Sequence, residues 1–197
     1  MSIDLRGTDV LLAATQNLTL AADSSLLQTG TQSSADAFVL GGNGAFVRVS
    51  GVTGAQTSRS GVTASALPSL SIGANAVISG RTVTLDSTNA TSLDLTTQLT
   101  ASAIQLNSGR ISIQLVNAGA LQPNAGLVLG GGLLSALQAS SSLSLLSYSS
   151  IDFYGTGSFA SAGALELHAG EIRGFNQNGG SIDLTAQSLV LDNSALA

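Results

Sequence analysis

Apolar residues separated by one polar residue recur along the whole chain and seldom extend beyond three to five positions. A period of two over so few residues predicts short β-strands with one buried face. Gly, Ser, Asn and Asp separate these doublets, which predicts a turn after each strand. The pattern therefore predicts an all-β chain. The interior positions that it predicts include Ile104, Leu106, Leu143, Leu145, Ile182 and Leu184.

The spacing of the doublets predicts a coil that repeats. Nearly the same interval separates Val83 from Ile104 and Leu143 from Leu165, and a somewhat shorter one separates Leu165 from Ile182. A coil of roughly 17–22 residues that holds two or three short strands fits a parallel β-helix, in which the strands of successive coils stack in register. The sequence thus predicts one β-solenoid over residues 1–197.

Two segments depart from this repeat. Residues 53–68 are polar and end at Pro68, which predicts a loop that leaves the stack of coils. Residues 133–139 have helical spacing after three glycines, which predicts a short helix that decorates the solenoid. The pattern begins in one strand and stops within another, whereas solenoids need polar caps. We therefore expect the chain to be a segment of a longer protein.

Charged residues make up 9% of the chain, although hydrophobic residues make up 44% and the mean hydropathy is +0.39. Small polar residues must therefore cover much of the surface. The net charge of -5 and the isoelectric point near 4.4 disfavour nucleic acid as a partner, because no basic stripe can neutralise phosphates. The chain contains no Cys, which is compatible with an oxidising compartment and with a core that needs no disulfides.

The single histidine, His168, lies between Glu166 and Glu171 in the sequence. Its functional interpretation is a base or a metal ligand that works with a carboxylate. Strand alternation places His168 and Glu166 on the outward face, because Leu165 and Leu167 take the inward one. One His and one Glu on an open face give no closed coordination sphere, so we expect an exposed surface pair.

Four aspartates occupy the centre of an apolar-Asp-apolar doublet and are predicted to point outward. They are Asp4, Asp94, Asp152 and Asp183. A row for calcium or for a carbohydrate would need them one coil apart, and their separations do not match a coil. We expect solvated charges that discourage edge-to-edge aggregation.

The segment Gly41–Gly44 is similar to a calcium-binding nonapeptide repeat, but Phe46 stands where the Asp ligand belongs and the motif occurs once. Such sites take ligands from consecutive repeats, so we expect no calcium here. A polysaccharide-degrading β-helix would need clustered Asp or Glu beside a cationic residue in a groove, and the sequence shows no such cluster. We expect no catalytic, cofactor-binding or metal-binding residues and no enzymatic activity.

The degenerate Leu-x-Leu coils, with Gly, Asn and Ser at their corners, resemble the filamentous haemagglutinin-like exoproteins that are exported by two-partner secretion. Residues 77–197 carry most of the likeness. The phrases that carry it are Leu85-Asp-Ser-Thr-Asn-Ala-Thr-Ser-Leu93, Leu106-Asn-Ser-Gly-Arg-Ile-Ser-Ile113, Leu145-Leu-Ser-Tyr-Ser-Ser-Ile-Asp-Phe-Tyr-Gly155 and Leu167-His-Ala-Gly-Glu-Ile-Arg-Gly-Phe-Asn176. The family's amino-terminal secretion domain, with its Asn-Pro-Asn-Gly-type motifs, does not occur in this sequence, and neither does an Arg-Gly-Asp triplet.

The resemblance implies a right-handed parallel β-helix that forms the shaft of a large adhesin, secreted or held at the surface of Gram-negative bacteria. It implies an outer-membrane two-partner secretion transporter as the partner during export. Attachment to host cells, neighbouring cells or glycans would involve other parts of the full protein, and the shaft would support attachment without chemistry of its own. A carbohydrate-binding or polysaccharide-degrading β-helix protein is the alternative. We also expect end-to-end self-association of the isolated segment, because its terminal strands would expose their edges.

Overall fold

The computed structural model describes residues 2–63, 66–115 and 126–193. Twenty-two short strands and one helix, α1 (Gly131–Gln138), account for its regular structure, so the predicted all-β class is confirmed. The strands are β1 Asp4–Gly7, β2 Asp9–Ala14, β3 Asn17–Leu20, β4 Ser25–Gln28, β5 Phe38–Gly41, β6 Ala45–Ser50, β7 Thr57–Ser60, β8 Ser69–Ile72, β9 Val77–Ser79, β10 Thr82–Ser87, β11 Ala90–Leu93, β12 Gln98–Thr100, β13 Ala103–Ser108, β14 Ile111–Gln114, β15 Leu127–Leu129, β16 Ser142–Ser147, β17 Ser150–Tyr154, β18 Gly157–Ala160, β19 Ala164–His168, β20 Glu171–Phe175, β21 Ile182–Thr185 and β22 Ser188–Asp192.

These strands form six sheets within the described residues. Seven strands build the largest sheet, in the order β2-β6-β10-β13-β16-β19-β22, and the other sheets are β1-β4-β9-β12, β3-β8-β11, β15-β14-β17-β20, β5-β7 and β18-β21. Strand β6 runs antiparallel to β2 and to β10, whereas the other pairs are parallel. The prediction of parallel pairing throughout is therefore wrong at β6. The long connection between β4 and β6 brings the chain to the opposite end of the sheet, so β6 begins beside Ala14 and Ser87, where β2 and β10 end.

The pairing register confirms two of the predicted repeat steps. Val83 pairs with Ile104, and Leu143 pairs with Leu165. The predicted step from Leu165 to Ile182 is wrong, because these residues belong to two different sheets. A period-two pattern marks strands but does not say which strand of the next turn is the partner. The partner of Leu165 is Leu189 in β22.

The core lies between the inward faces of the sheets, and four of the six predicted interior residues are fully enclosed there. Ile104 is 3% exposed, and Leu106, Leu143 and Leu145 are 0% exposed. The two predicted residues in β21, Ile182 and Leu184, are half-buried and pack against the core. Among the described strands, β21 pairs with β18 alone, so its outer edge leaves these side chains partly in solvent.

The predicted helix over residues 133–139 is confirmed, with bounds that begin two residues earlier. Leu134 and Leu137 are buried in the core cluster, so α1 forms part of the wall and is more than a decoration. Helix α1 follows β15, and both lie between β14 and β16 in the sequence. For this reason the step from Ile104 to its partner Leu143 is longer than the other steps of the sheet.

The predicted loop over residues 53–68 contains strand β7, which pairs in parallel with β5. The loop prediction missed this strand because its sequence, Thr-Ser-Arg-Ser, carries no apolar residue. Residues 64 and 65 of the segment lie outside the described residues.

Candidate functional site

Strands β5 and β7 form a second layer over the outer face of β6, and we call these two strands the cover. Their anchor is Arg48 on β6, whose side chain is 1% exposed. Its guanidinium contacts both carboxylate oxygens of Asp9, at 3.0 and 2.6 Å, and donates hydrogen bonds to the carbonyl oxygens of Asp36 and Gln56, each at 2.8 Å. It also lies 4.6 Å from the ring centroid of Phe38. A buried guanidinium with this many partners fixes the cover on the sheet.

A second buried ion pair joins the cover to β10. Arg59 of β7 contacts Asp86 through Nε at 2.9 Å and Nη2 at 2.7 Å, and the two side chains are 4% and 0% exposed. Tyr148 and Asn107 donate hydrogen bonds to the second carboxylate oxygen, at 2.7 and 2.9 Å. Burial raises the pKa of Asp86 above its ordinary value, whereas the Arg59 charge and the two hydrogen bonds act in the opposite direction. Burial and this carboxylate also raise the pKa of Tyr148, so its hydroxyl remains a hydrogen-bond donor.

A groove of about 350 Å³ lies between the edge of the cover and the outer face of β13, β16 and β19. Residues 54–58 form one wall, and the Thr82 hydroxyl holds this wall by accepting a hydrogen bond from the Gly54 N–H at 2.9 Å. The floor combines an amide, hydroxyls, a carboxylate, an imidazole and an apolar side chain: Gln105, Ser142, Ser144, Leu146, Glu166 and His168. This volume falls in the lower part of the range of roughly 300–1,000 Å³ for small-molecule sites. The groove is the candidate functional site.

The structure brings His168 and Glu166 together, as predicted, and adds Asp192 from β22. His168 Nδ1 lies 2.7 Å from Asp192 Oδ1, and Nε2 lies 3.5 Å from Glu166 Oε2. The predicted outward orientation is confirmed, because Leu165 and Leu167 fill the inward face. The prediction of an exposed pair is wrong for His168, whose side chain is 15% exposed, because carboxylates from its own strand and from the neighbouring strand flank the ring.

The other acidic neighbour in the sequence, Glu171, does not join this group. It lies on β20, which belongs to a different sheet, and contacts Arg173 at 3.6 Å. Sequence proximity placed it near His168, but the turn between β19 and β20 directs the two side chains to different faces.

Three of the four outward aspartates are exposed, as predicted, and the fourth is not. The exposed ones are Asp4, Asp94 and Asp183. Asp152 is 1% exposed, so its prediction as a solvated charge is wrong. The register places Arg173 directly beside it on the next strand, with Nε at 2.9 Å from its carboxylate, and Arg110 lies at 3.7 Å. Two guanidinium groups on the outer face therefore cover this carboxylate.

The glycine segment Gly41–Gly44 connects the cover to β6. The Gly42 carbonyl accepts a hydrogen bond from Arg59 at 2.8 Å, and a side chain at Gly44 would meet the Ala14 carbonyl oxygen at 2.5 Å. The absence of side chains at these glycines therefore allows the cover and the sheet to approach each other closely. Within the described residues, no group of three or more His, Cys, Asp or Glu side chains could hold a metal ion.

The sequence analysis missed Arg48, Arg59 and Asp86, which together hold the cover. Some signal was available, because Arg48 interrupts an otherwise apolar strand. Thr82, Thr84 and Asp86 line one face of a strand whose two faces are both buried. Alternation shows which side chains point outward, but it does not show that a second layer covers them.

Comparison of the chain with protein-family models, with curated proteins and with solved structures finds no match. The helix in the described part of the chain is too short to cross a membrane.

Proposed function

We propose that the chain forms successive coils of a right-handed parallel β-helix. We propose further that these coils belong to the shaft of a large secreted or surface-exposed protein similar to the filamentous haemagglutinin-like exoproteins. The observation that carries this proposal is the register, in which three of the four parallel steps of the seven-stranded sheet span similar lengths of sequence, and the fourth is lengthened by β15 and α1. Val83 pairs with Ile104, and Leu165 pairs with Leu143 on one side and with Leu189 on the other.

Each such turn contributes a strand to the seven-stranded sheet, and each strand of that sheet pairs with its immediate neighbours. Stability in an architecture of this kind comes from contacts between adjacent repeats, so further repeats can be added without changing the existing ones. This arrangement lets a shaft lengthen by repetition.

The inward face of β22, at the edge of the seven-stranded sheet, supports the expected end-to-end association. Leu143, Leu165 and Leu189 occupy one interior column, in which the first two are 0% exposed and Leu189 is 43% exposed. In the adjacent column Leu191 is 52% exposed. An apolar inward face of this kind next to a strand edge can pack against a strand of a second copy of the chain. We therefore expect the chain to associate end to end, and sedimentation velocity over a concentration series measures this association.

The proposed work of the shaft is mechanical, because it holds a distal module away from the cell surface. A two-partner secretion transporter is the proposed partner during export, and coil-by-coil folding outside the cell would help to draw the chain outward. Charged residues are 9% of the chain and Cys does not occur, so neither ion pairing nor disulfide formation hinders the unfolded chain during passage.

The enzyme alternative receives less support from the groove. Glycoside hydrolysis uses two carboxyl groups on opposite sides of the scissile bond. In the described part of the chain, Glu166 is the one carboxylate that lines the groove. This chemistry favours binding over bond cleavage.

Deletion of one coil tests the shaft proposal. Removal of residues 142–163 joins Ser141 to Ala164. The carbonyl oxygen of Ser141 and the amide nitrogen of Ala164 already lie 3.0 Å apart. Strand β19 then takes the place of β16 beside β13. We expect a folded chain with an unchanged β-type circular dichroism spectrum, shorter by about 4.8 Å, the spacing between neighbouring strands. Placed behind a secretion domain of the family and expressed with its transporter, the shortened chain should still be exported.

A half-coil deletion is the matched control. Removal of residues 142–152 alone moves the following doublets to the wrong faces, so we expect this variant to unfold or aggregate. Loss of folding or of export in the full-coil deletion contradicts the shaft proposal, and so does equal tolerance of the two deletions.

A further inference from the structure

We propose that the groove between residues 54–58 and the outer face of β13, β16 and β19 binds a neutral oligosaccharide. This inference does not depend on the shaft proposal, because it rests on the groove alone. A shaft has no need of a groove. The groove in this chain has a fixed wall, a polar floor and a volume of about 350 Å³.

The floor carries the donors and acceptors that sugar hydroxyls need. Gln105, Ser144 and Glu166 stand in one column, because the register pairs Gln105 with Ser144 and Ser144 with Glu166. An amide, a hydroxyl and a carboxylate therefore follow one another about 4.8 Å apart across three strands. A sugar hydroxyl both donates and accepts hydrogen bonds, so it can bind each of these groups. Leu146 adds an apolar contact for the C–H face of a sugar ring.

The groove is held in place from both sides. On the wall, Arg48 donates hydrogen bonds to the Gln56 carbonyl at 2.8 Å and to the Thr57 hydroxyl at 3.0 Å. On the floor, the His168 ring lies between Glu166 and Asp192 on neighbouring strands. Side chains fixed in this way lose little conformational entropy when a ligand binds, which favours affinity.

The charge of the groove selects against anionic ligands. Among the described residues that line it, Glu166 is the one acidic side chain and none is Lys or Arg, and the chain as a whole carries a net charge of -5. Phosphate, sulfate or nucleic acid would meet a carboxylate where it needs a cation. A neutral polyol avoids this repulsion and uses the same carboxylate as a hydrogen-bond acceptor.

The strand arrangement selects against a peptide that binds by strand addition. Strands β13, β16 and β19 each have a strand neighbour on both sides, so the floor offers side chains and no free strand edge. Peptide recognition of that kind needs an exposed edge. Side-chain recognition of a sugar does not.

The single histidine makes the test specific, because the imidazole C–H resonances of His168 report on this groove alone. The chain is titrated with cellotetraose, chitotetraose, maltotetraose and mannotetraose, and with trilysine as a cationic peptide, while these resonances are followed by NMR. We expect at least one tetrasaccharide to shift them saturably. In Gln105→Ala, the apparent Kd for that sugar should rise about 5- to 20-fold, as expected for the loss of one hydrogen-bonding group.

Two further variants complete the test. Gln98→Ala makes the same substitution at an exposed residue of another sheet and should leave the Kd unchanged. Ser144→Trp fills the groove and should abolish the shifts, while an unchanged thermal unfolding midpoint shows that the fold persists. The proposal is overturned if no tetrasaccharide shifts the His168 resonances at millimolar concentration. It is equally overturned if trilysine alone binds, or if Gln105→Ala and Gln98→Ala weaken binding equally.

Discussion

Replacing Leu145 by alanine is expected to lower the free energy of unfolding by about 2–5 kcal/mol, the usual cost of emptying a buried leucine site. Leu145 is 0% exposed and stands in an interior column beside Leu106 and Leu167. The sheet register holds its neighbours Leu106 and Leu167 in place, so we expect the site to collapse only in part around the cavity. Urea unfolding, followed by circular dichroism, measures the change.

The next residue in the sequence provides the matched control. Leu146 points to the outer face and is half-buried in the floor of the groove, so Leu146→Ala should cost less than about 1 kcal/mol. Equal losses at the two positions would contradict the alternation of inward and outward faces in β16.

The second large effect is expected at the Arg59–Asp86 ion pair. Arg59→Met keeps the length of the side chain but leaves Asp86 buried without its cation. Removal of one partner from a buried pair costs about 3–5 kcal/mol. We therefore expect a loss of this size at pH 7, measured by urea unfolding.

The loss should depend on pH in a defined direction. The pKa of Asp86 is raised in the folded state, so folding favours the protonated carboxyl. The free energy of unfolding therefore falls as the pH rises from the ordinary Asp pKa of about 3.9 through the raised pKa. The positive charge of Arg59 opposes this pKa shift. Its removal therefore widens the pH range over which stability falls. The deficit of Arg59→Met should therefore be smaller at pH 4.5 than at pH 7.

Two further variants separate the ion pair from a general effect of charge. Arg6→Met removes an exposed arginine whose pair with Asp4 is open to solvent, so it should leave the unfolding midpoint unchanged. The double variant Arg59→Met/Asp86→Asn removes both buried charges, keeps a side-chain oxygen that can accept the hydrogen bonds of Tyr148 and Asn107, and should recover most of the lost stability. An equal deficit of Arg59→Met at both pH values would contradict the proposed role of Asp86.

The sequence was sufficient to predict the parts of the fold that depend on local pattern. Period-two doublets located the strands and the interior positions Ile104, Leu106, Leu143 and Leu145, and helical spacing located α1. These predictions succeeded because burial of one strand face or one helix stripe leaves a direct trace in residue order.

The parts that depend on contacts between distant segments left a weaker trace. The residues of β6 do not show in which direction the strand runs. Its antiparallel direction follows from the path of the preceding connection. Asp152 looks like an exposed charge until Arg173 is placed beside it by the register. Arg48 and Arg59 find partners 39 and 27 residues away, across irregular segments with no fixed repeat. The groove depends on the same cover, and for this reason no local pattern in the sequence indicates it.

In the proposed shaft, successive strands of the seven-stranded sheet climb along one axis in the order of the coils. Pulsed electron paramagnetic resonance tests this arrangement, because the chain has no Cys and accepts spin labels without background. One outward column contains Leu11, Ser144, Glu166 and Val190. Counted from Leu11, Ser144 lies four strands away, Glu166 five and Val190 six. With labels at Leu11 and at each of the others in turn, we expect backbone separations of about 19, 24 and 29 Å, because each step adds about 4.8 Å. Separations that fail to increase in this order, with Val190 as close to Leu11 as Ser144, would contradict it.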